Sequence, residues 1–321
     1  MNYFIVFAIL ALLVIAVFYG YKSINGDLTK LPFIGGGEWT IGIYTGNKPW
    51  EMSDPVNIHN PVLTQHDITD MPARGVADPF MIFKDSLWYM FFEIIHAKTN
   101  KGKIGCAISK NGYNWEYKQV VLDEPFHLSY PYVFLWEGTY YMIPESSERG
   151  MVVLYRSVSF PFQWERVTTL LNKGYVDSSF LFYNNTYWLF VSNQGNNCLR
   201  LFYSDSLTGK WTEHPQSPII SNDAGTARPG GRIINFEDKL IRFAQDCRKD
   251  YGYALRAFEI TSLNCTNFEE KELTETPVVK ASGHGWNANR MHHLDPYLID
   301  HNLWIACTDG YKRKVQIGIK Y

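Results

Sequence analysis

Ala77-Asp78-Pro79-Phe80-Met81-Ile82-Phe83 followed by Leu87-Trp88-Tyr89-Met90-Phe91-Phe92-Glu93 is a pair of apolar strands joined by a short polar turn. The same design returns four times. Ser129–Leu135 with Thr139–Glu145, Val176–Phe182 with Thr186–Val191, Arg228–Ile234 with Lys239–Phe243, and His293–Ile299 with Leu303–Cys307 are the later copies. A recurrence of roughly 50 residues, each unit too small to bury its own apolar face, is the signature of a propeller or similar array. The reading is all-β: a five-bladed β-propeller over residues 38–321.

Each unit continues into outer strands, such as Lys103–Ser109 and Trp115–Val121 in the first, with Asn111-Gly112 at the turn. Trp115, Trp164 and Trp211 open the outer strands and read as structural. The fifth unit is short of material, with only Lys314–Lys320 left after its inner pair. Glu38–Tyr44 carries the same Ile-Gly-Ile pattern as residues 317–319. The N-terminal segment is therefore expected to complete the last blade, leaving no open sheet edge.

Tyr3–Tyr19 is an apolar run without a charge, at the short end of what spans a bilayer. It lacks the basic start and the small-x-small cleavage site of a secretory signal. Residues 1–20 read as one N-terminal transmembrane helix, a single-pass anchor retained rather than cleaved, and residues 21–37 as a tether. The adjacent Lys22 and Lys30 are too few to say on which side of the membrane the propeller lies.

The net charge is −2 with both signs interspersed, which excludes a phosphate-backbone partner, so no nucleic acid is expected. Five scattered cysteines without Cys-x-x-Cys spacing exclude a zinc ribbon and argue against a disulfide framework. Aromatics make up 16% of the chain, enough to pack between blades and leave a few to stack on sugar rings.

Apolar strands need no polar groups at their starts, yet equivalent positions hold Asp78, Tyr130, Asp177, Arg228 and Asp295. The ends of the second strands add Glu93, Glu145, Gln245 with Asp246, and Asp309; His127, His292 and His293 lie beside them. In a five-bladed disc these groups are expected to converge on one funnel. Two uses compete: capping of backbone amides around the channel, or a carboxyl pair flanking a glycosidic bond, one kept protonated by its neighbours. Gly230-Gly231 is either a tight bend or a place where backbone approaches a ligand. His292-His293-x-Asp295 has ligand residue types without a complete metal set and reads as a hydrogen-bonding group; no metal and no cofactor is expected.

Ala77–Phe80, Phe91-Phe92-Glu93, Phe126–Pro131, Met142–Glu145, Arg228–Gly231, Gln245-Asp246-Cys247 and His292–Asp295 together resemble the N-terminal propeller domain of plant-type glucosamine inositolphosphorylceramide transferases. The resemblance covers residues 38–321. More distantly, the pattern is similar to five-bladed arabinanase- and xylosidase-type glycoside hydrolases. In that class an Asp opens blade one as base, at the position of Asp78, and a second Asp that tunes the acid matches Asp177. The general-acid Glu opens blade four, where this chain has Arg228-Pro229-Gly230; Glu93 and Glu145 are the available substitutes.

The resemblance implies a role on a glycan or glycolipid in its biosynthesis. One form is an enzyme with Asp78, Glu93, Glu145 and Asp177 as catalytic groups. The other is a recognition module serving a separate glycosyltransferase, with His127, Tyr130, Arg228, Gln245, Asp246, His292, His293 and Asp295 holding the ligand. The chain carries no Asp-x-Asp metal motif and no Rossmann glycine run of its own.

Overall fold

The computed structural model describes residues 36–314, together with residues 7, 10–14 and 17. Its strands form five sheets of four to six strands, the blades of a propeller. The last blade holds β1 (Gly36–Lys48) and β2 (Glu51–Ser53). Blade one is β3 (Ala73–Lys84), β4 (Leu87–His96), β5 (Gly102–Ser109) and β6 (Glu116–Leu122). Blade two is β7 (Ser129–Trp136), β8 (Thr139–Glu145), β9 (Val152–Ser159) and β10 (Gln163–Leu171). Blade three comprises β11 (Val176–Tyr183), β12 (Thr186–Ser192), β13 (Cys198–Ser204), β14 (Thr212–Glu213) and β15 (Ile220–Ser221).

Blade four has a broken inner strand, β16 (Arg228–Pro229) and β17 (Ile234–Phe236), against β18 (Lys239–Asp246). Outside β18 lie β19 (Ala254–Leu263), β20 (Phe268–Glu272) and β21 (Val279–Lys280). Blade five is β22 (Leu294–Asp300) and β23 (Leu303–Lys314), and its outer half comes from the other end of the chain, in the order β2-β1-β23-β22. The expected closure is thus present, and β1 supplies its third strand. Residues 315–321, which resemble a third strand in sequence, lie outside the described residues. So does most of the apolar run assigned as an anchor, with nearly all of the tether; β1 already begins at Gly36. Among the described residues no helix is long and apolar enough to cross a membrane.

The apolar strand residues fill the spaces between blades. Ile41 and Ile43 of β1 are fully buried with Met90, Phe92 and Ile305, so the closing strand is packed as well as hydrogen-bonded. Trp115 and Trp164 each donate their indole N–H to a carbonyl three residues earlier, at 3.0 and 2.8 Å. Each indole is thereby tied to its own turn.

Three inner strands share an irregularity that positions the site. Register shifts fall between Ala77 and Phe80, Ser129 and Tyr132, and Val176 and Ser179. In each, the residue at the repeated polar position is left-handed: Asp78 at φ 51°, Tyr130 at 44° and Asp177 at 49°. The extra residue of a bulge leaves the ladder and re-aims its side chain. Asp tolerates this conformation; a tyrosine there is uncommon.

In blade four the break falls at Gly230-Gly231. A Cβ on Gly231, at φ 151°, would sit 1.9 Å from the Leu294 carbonyl oxygen. Gly231 N–H donates to the Tyr130 hydroxyl at 2.7 Å, and its carbonyl accepts from Ser179 Oγ at 2.9 Å. The tight bend weighed for the glycine pair is present. Gly231→Ala is therefore expected to destabilise the propeller by about 2–4 kcal/mol, read from urea denaturation; a change below about 0.5 kcal/mol would contradict this account of the channel.

Candidate functional site

At the end of the disc where the inner strands begin lies an open cavity of about 400 Å³, lined by Trp39, Arg74, Asp78, Glu93, His127, Glu145, Arg228, Tyr251 and His292 among others. The structure brings together here six of the residues singled out by sequence: Asp78, Glu93, His127, Glu145, Arg228 and His292. Asp177 and Gln245 stand directly behind them. Tyr130, His293 and Asp295 are buried farther along the channel, and Asp246 turns away.

The pairing of the strands explains the clustering. Glu93 and Glu145 end the second strands of their blades, opposite Ala77 and Ser129. Asp78 follows Ala77 on its bulge. His127 precedes β7, and its Nδ1 accepts the Gly102 N–H at 2.9 Å. That bond fixes the neutral tautomer with its proton on Nε2. Nε2 lies 3.5 Å from Glu93 Oε1 and 3.6 Å from Glu145 Oε2. The two carboxyl groups thus stand against the same imidazole nitrogen.

Their surroundings differ. Burial, then the carboxylates of Asp78, Glu145 and Asp177, hold Glu93 well above the usual carboxylate range, with Arg74 opposing. Glu93 therefore holds its proton more tightly than an ordinary carboxylic acid. Glu145 accepts hydrogen bonds from Ser129 Oγ–H at 3.1 Å and Ser147 N–H at 2.9 Å. One carboxyl is arranged to donate and the other to accept.

Asp78 takes the capping role weighed for it. Its Oδ2 accepts the Tyr130 N–H of the next blade at 3.3 Å, and its own N–H donates to Asp309 Oδ2 at 3.2 Å. Its Oδ1 faces His292 Nδ1 at 3.9 Å. Burial pushes its pKa up to about 7; Asp177 and Asp309 add to the rise, while His292 and Arg228 oppose it. His292 sits 2.7 Å from Asp309 Oδ2. Burial alone would lower its pKa, but Asp309 and then Asp78 outweigh burial and the net shift is upward. The imidazole stacks on Trp39 with ring centres 4.3 Å apart, and Tyr251 meets it edge-on. Asp78, His292 and Asp309 bring three donor atoms within 4.8 Å of one another, a set that a divalent ion could use.

Arg228 binds Asp177 through two hydrogen bonds, Nε to Oδ2 at 2.6 Å and Nη2 to Oδ1 at 3.1 Å. Its Nη1 donates to Asn196 Oδ1 at 2.6 Å, and Gln245 Nε2 donates to Asp177 Oδ2 at 2.7 Å. Asp177 is fully engaged by these partners, so its charge is matched rather than free to act on a substrate. Deeper in, Asp295 accepts from Arg232 Nε at 2.8 Å and from the Met81 N–H at 2.7 Å. Blade five has no bulge at Asp295, and its side chain points along the channel instead of into the mouth. His293 packs edge-on against Phe80 and Tyr130; burial lowers its pKa to about 3, leaving a neutral ring. Asp246 pairs with Arg248 and Arg256, outside the cavity.

Sequence reasoning passed over Trp39, Arg74, Tyr251 and Asn196. Trp39 lies in the closing strand, whose place beside blade five was legible, so its approach to the mouth was open to inference. Arg74, Tyr251 and Asn196 lie outside the repeated positions and carry no such signal.

A family model described as the N-terminal part of glucosamine inositolphosphorylceramide transferase 1 matches residues 34–311. Glucosamine inositolphosphorylceramide transferase 1 of Oryza sativa subsp. japonica is 36% identical over 304 residues, covering 86% of this chain and 40% of that protein. Its Arabidopsis thaliana counterpart is 34% identical over 298 residues, covering 85% and 39%. The chain spans about two fifths of the length of these relatives. Among solved structures, a glycosyl hydrolase from Bacteroides ovatus aligns with a TM-score of 0.59 at 14% identity, covering 79% of this chain and 92% of that one. A β-xylosidase aligns with a TM-score of 0.54 at 16% identity, covering 65% and 77%. These likenesses establish the fold.

Asp78 also sets a pH dependence of stability. Its folded pKa of about 7 lies above the unfolded value of about 3.9. The stability contributed by its neutral form is full below the unfolded value and is lost as pH rises through about 7. Asp78→Asn mimics the neutral acid. It is expected to be more stable than wild type at pH 8 by on the order of 2 kcal/mol, with the difference shrinking toward pH 5. Equal differences at both pH values in chemical denaturation would refute the assignment.

Proposed function

The chain belongs to the family of the glucosamine inositolphosphorylceramide transferase N-terminal domain, and from that membership and the geometry of its mouth we propose a carbohydrate-active propeller that binds a glycan or glycolipid headgroup and acts on one of its glycosidic bonds. The observation that carries this reading is Glu93 and Glu145 facing each other across His127 on the wall of an open cavity. Glu93, whose hold on its proton is strengthened by burial and by neighbouring carboxylates, protonates the leaving oxygen. Glu145 accepts a proton from the attacking hydroxyl or water, or attacks the anomeric carbon itself. The Nε2–H of His127 lies between them, placed to hold the spacing. Asp78 and His292 line the next stretch of wall, and the exposed Arg74 stands at the rim.

A second reading has an observation of its own. Arg228 stands at the head of blade four, where related glycosidases place their acid, and it is bound to Asp177. On that reading the mouth recognises a sugar for a separate glycosyltransferase and cleaves nothing. Under either reading the uncharged run Phe4–Phe18 would hold the propeller at a membrane surface.

The test is incubation of the full chain with a panel of glycans and glycolipids, with products read by mass spectrometry. Glu93→Gln and Glu145→Gln are each expected to lower turnover by about 100-fold or more while binding persists. His127→Ala is expected to cost about tenfold. Binding by wild type without turnover would select the recognition reading.

A further inference from the structure

We infer that the chain carries a second carbohydrate site, far from the mouth, at the opposite end of blade one, and that it takes a neutral oligosaccharide. Strand β5 runs from Gly102, beside the mouth, to Ser109, which is about 23 Å at the usual rise per residue. At that far end the turn between β5 and β6 faces the loop of residues 54–62 across a cleft of about 720 Å³. The volume falls within the range of small-molecule sites.

The chemistry of the two walls selects the ligand. Tyr113 and Trp115 form one wall, half-buried with their rings seated against the core shared by blades five and one. The bond from Trp115 Nε1 to the Gly112 carbonyl locks the indole. Asn111 Oδ1 accepts from Tyr113 N–H at 3.0 Å, Asn114 N–H at 2.9 Å and Ser109 Oγ–H at 3.1 Å. Its oxygen is thus occupied, leaving its amide protons to donate outward. The opposite wall presents exposed Asn57 and His59. That loop is fixed on β1 because Asn60 bonds both the N–H and the carbonyl of Ile43, each at 2.8 Å.

No Asp, Glu, Lys or Arg lines this cleft among the described residues. A phosphate or carboxylate ligand would find no counter-charge, and a lipid chain would leave the amides unpaired. A pyranose suits both walls, since its C–H face can lie on an aromatic ring while its hydroxyls bond amides at the rim. A second cleft of about 590 Å³ shares Asn111, Asn114 and Trp115 with the first but is also lined by Lys110, Glu116 and Lys118, so the uncharged lining belongs to the first alone. The neutral oligosaccharide is therefore seated in the first cleft, against the indole of Trp115. This inference does not depend on catalysis at the mouth.

The experiment presents the full chain to an array of neutral and anionic oligosaccharides and follows hits by titration calorimetry. Cellohexaose, mannohexaose and xylohexaose are the first probes. At least one neutral oligosaccharide is expected to bind, with Trp115→Ala weakening it about tenfold. Asn114→Ala and Asn57→Ala, at exposed positions with little bearing on folding, are each expected to weaken it severalfold. They keep the test decisive if Trp115→Ala misfolds. Absence of any neutral hit would overturn the site, as would hits that the two asparagine variants leave unchanged. Failure of the catalytic reading would show separately, as absence of turnover.

Discussion

A polar residue held in the left-handed region at the head of an inner strand is the constraint on which the mouth depends. A regular strand would send successive side chains alternately into the two neighbouring interblade cores. The bulges at Asp78, Tyr130 and Asp177 take one residue out of that alternation and aim it toward the axis. The cost in backbone strain is offset by bonds between blades. Asp309 receives the amide of Asp78, Asp78 receives the amide of Tyr130, and the Tyr130 hydroxyl bonds both Ser179 and Gly231. The polar ring is thus a set of cross-blade ties before it is anything chemical.

Those ties gather more carboxyl groups than one cup could hold ionised. Like charges in a desolvated site raise one another's pKa, and unpaired buried charges are costly. The structure partitions them. Asp177 is matched by Arg228, Asp309 by His292 and Asp295 by Arg232. Glu93 and Asp78 lack a comparable cation at contact distance, and they are the two mouth acids whose affinity for protons rises clearly. Burial is the largest cause of the rise at both, and neighbouring carboxylates add to it.

The repeat made the blades readable, because five copies of one apolar pattern admit few other architectures. Closure by the N-terminal strand was also legible, since the fifth unit lacked outer strands. Glu93 and Glu145 were recognisable as polar residues ending apolar strands. What the repeat concealed is that equal positions need not have equal geometry. Asp295 aligns with Asp78 in sequence, but without a bulge it faces Arg232. Arg232 itself looked like an ordinary strand residue until the bend at Gly231 turned it into the channel to meet Asp295. Such outcomes depend on a backbone irregularity that side-chain patterning does not encode.

Blade five is assembled from both ends of the described chain. Thr40 bonds the Gly310 carbonyl across 270 residues, and Trp39 reaches from the first strand to cover His292. During synthesis the first strand emerges with its partner still unmade, so its apolar face, Ile41 and Ile43 included, waits through the making of four blades. The entropy of closing so long a loop is met only when the last strand arrives. Until then one wall of the mouth is missing, so an unfinished chain cannot present a finished site, and ligand binding reports completion of the ring.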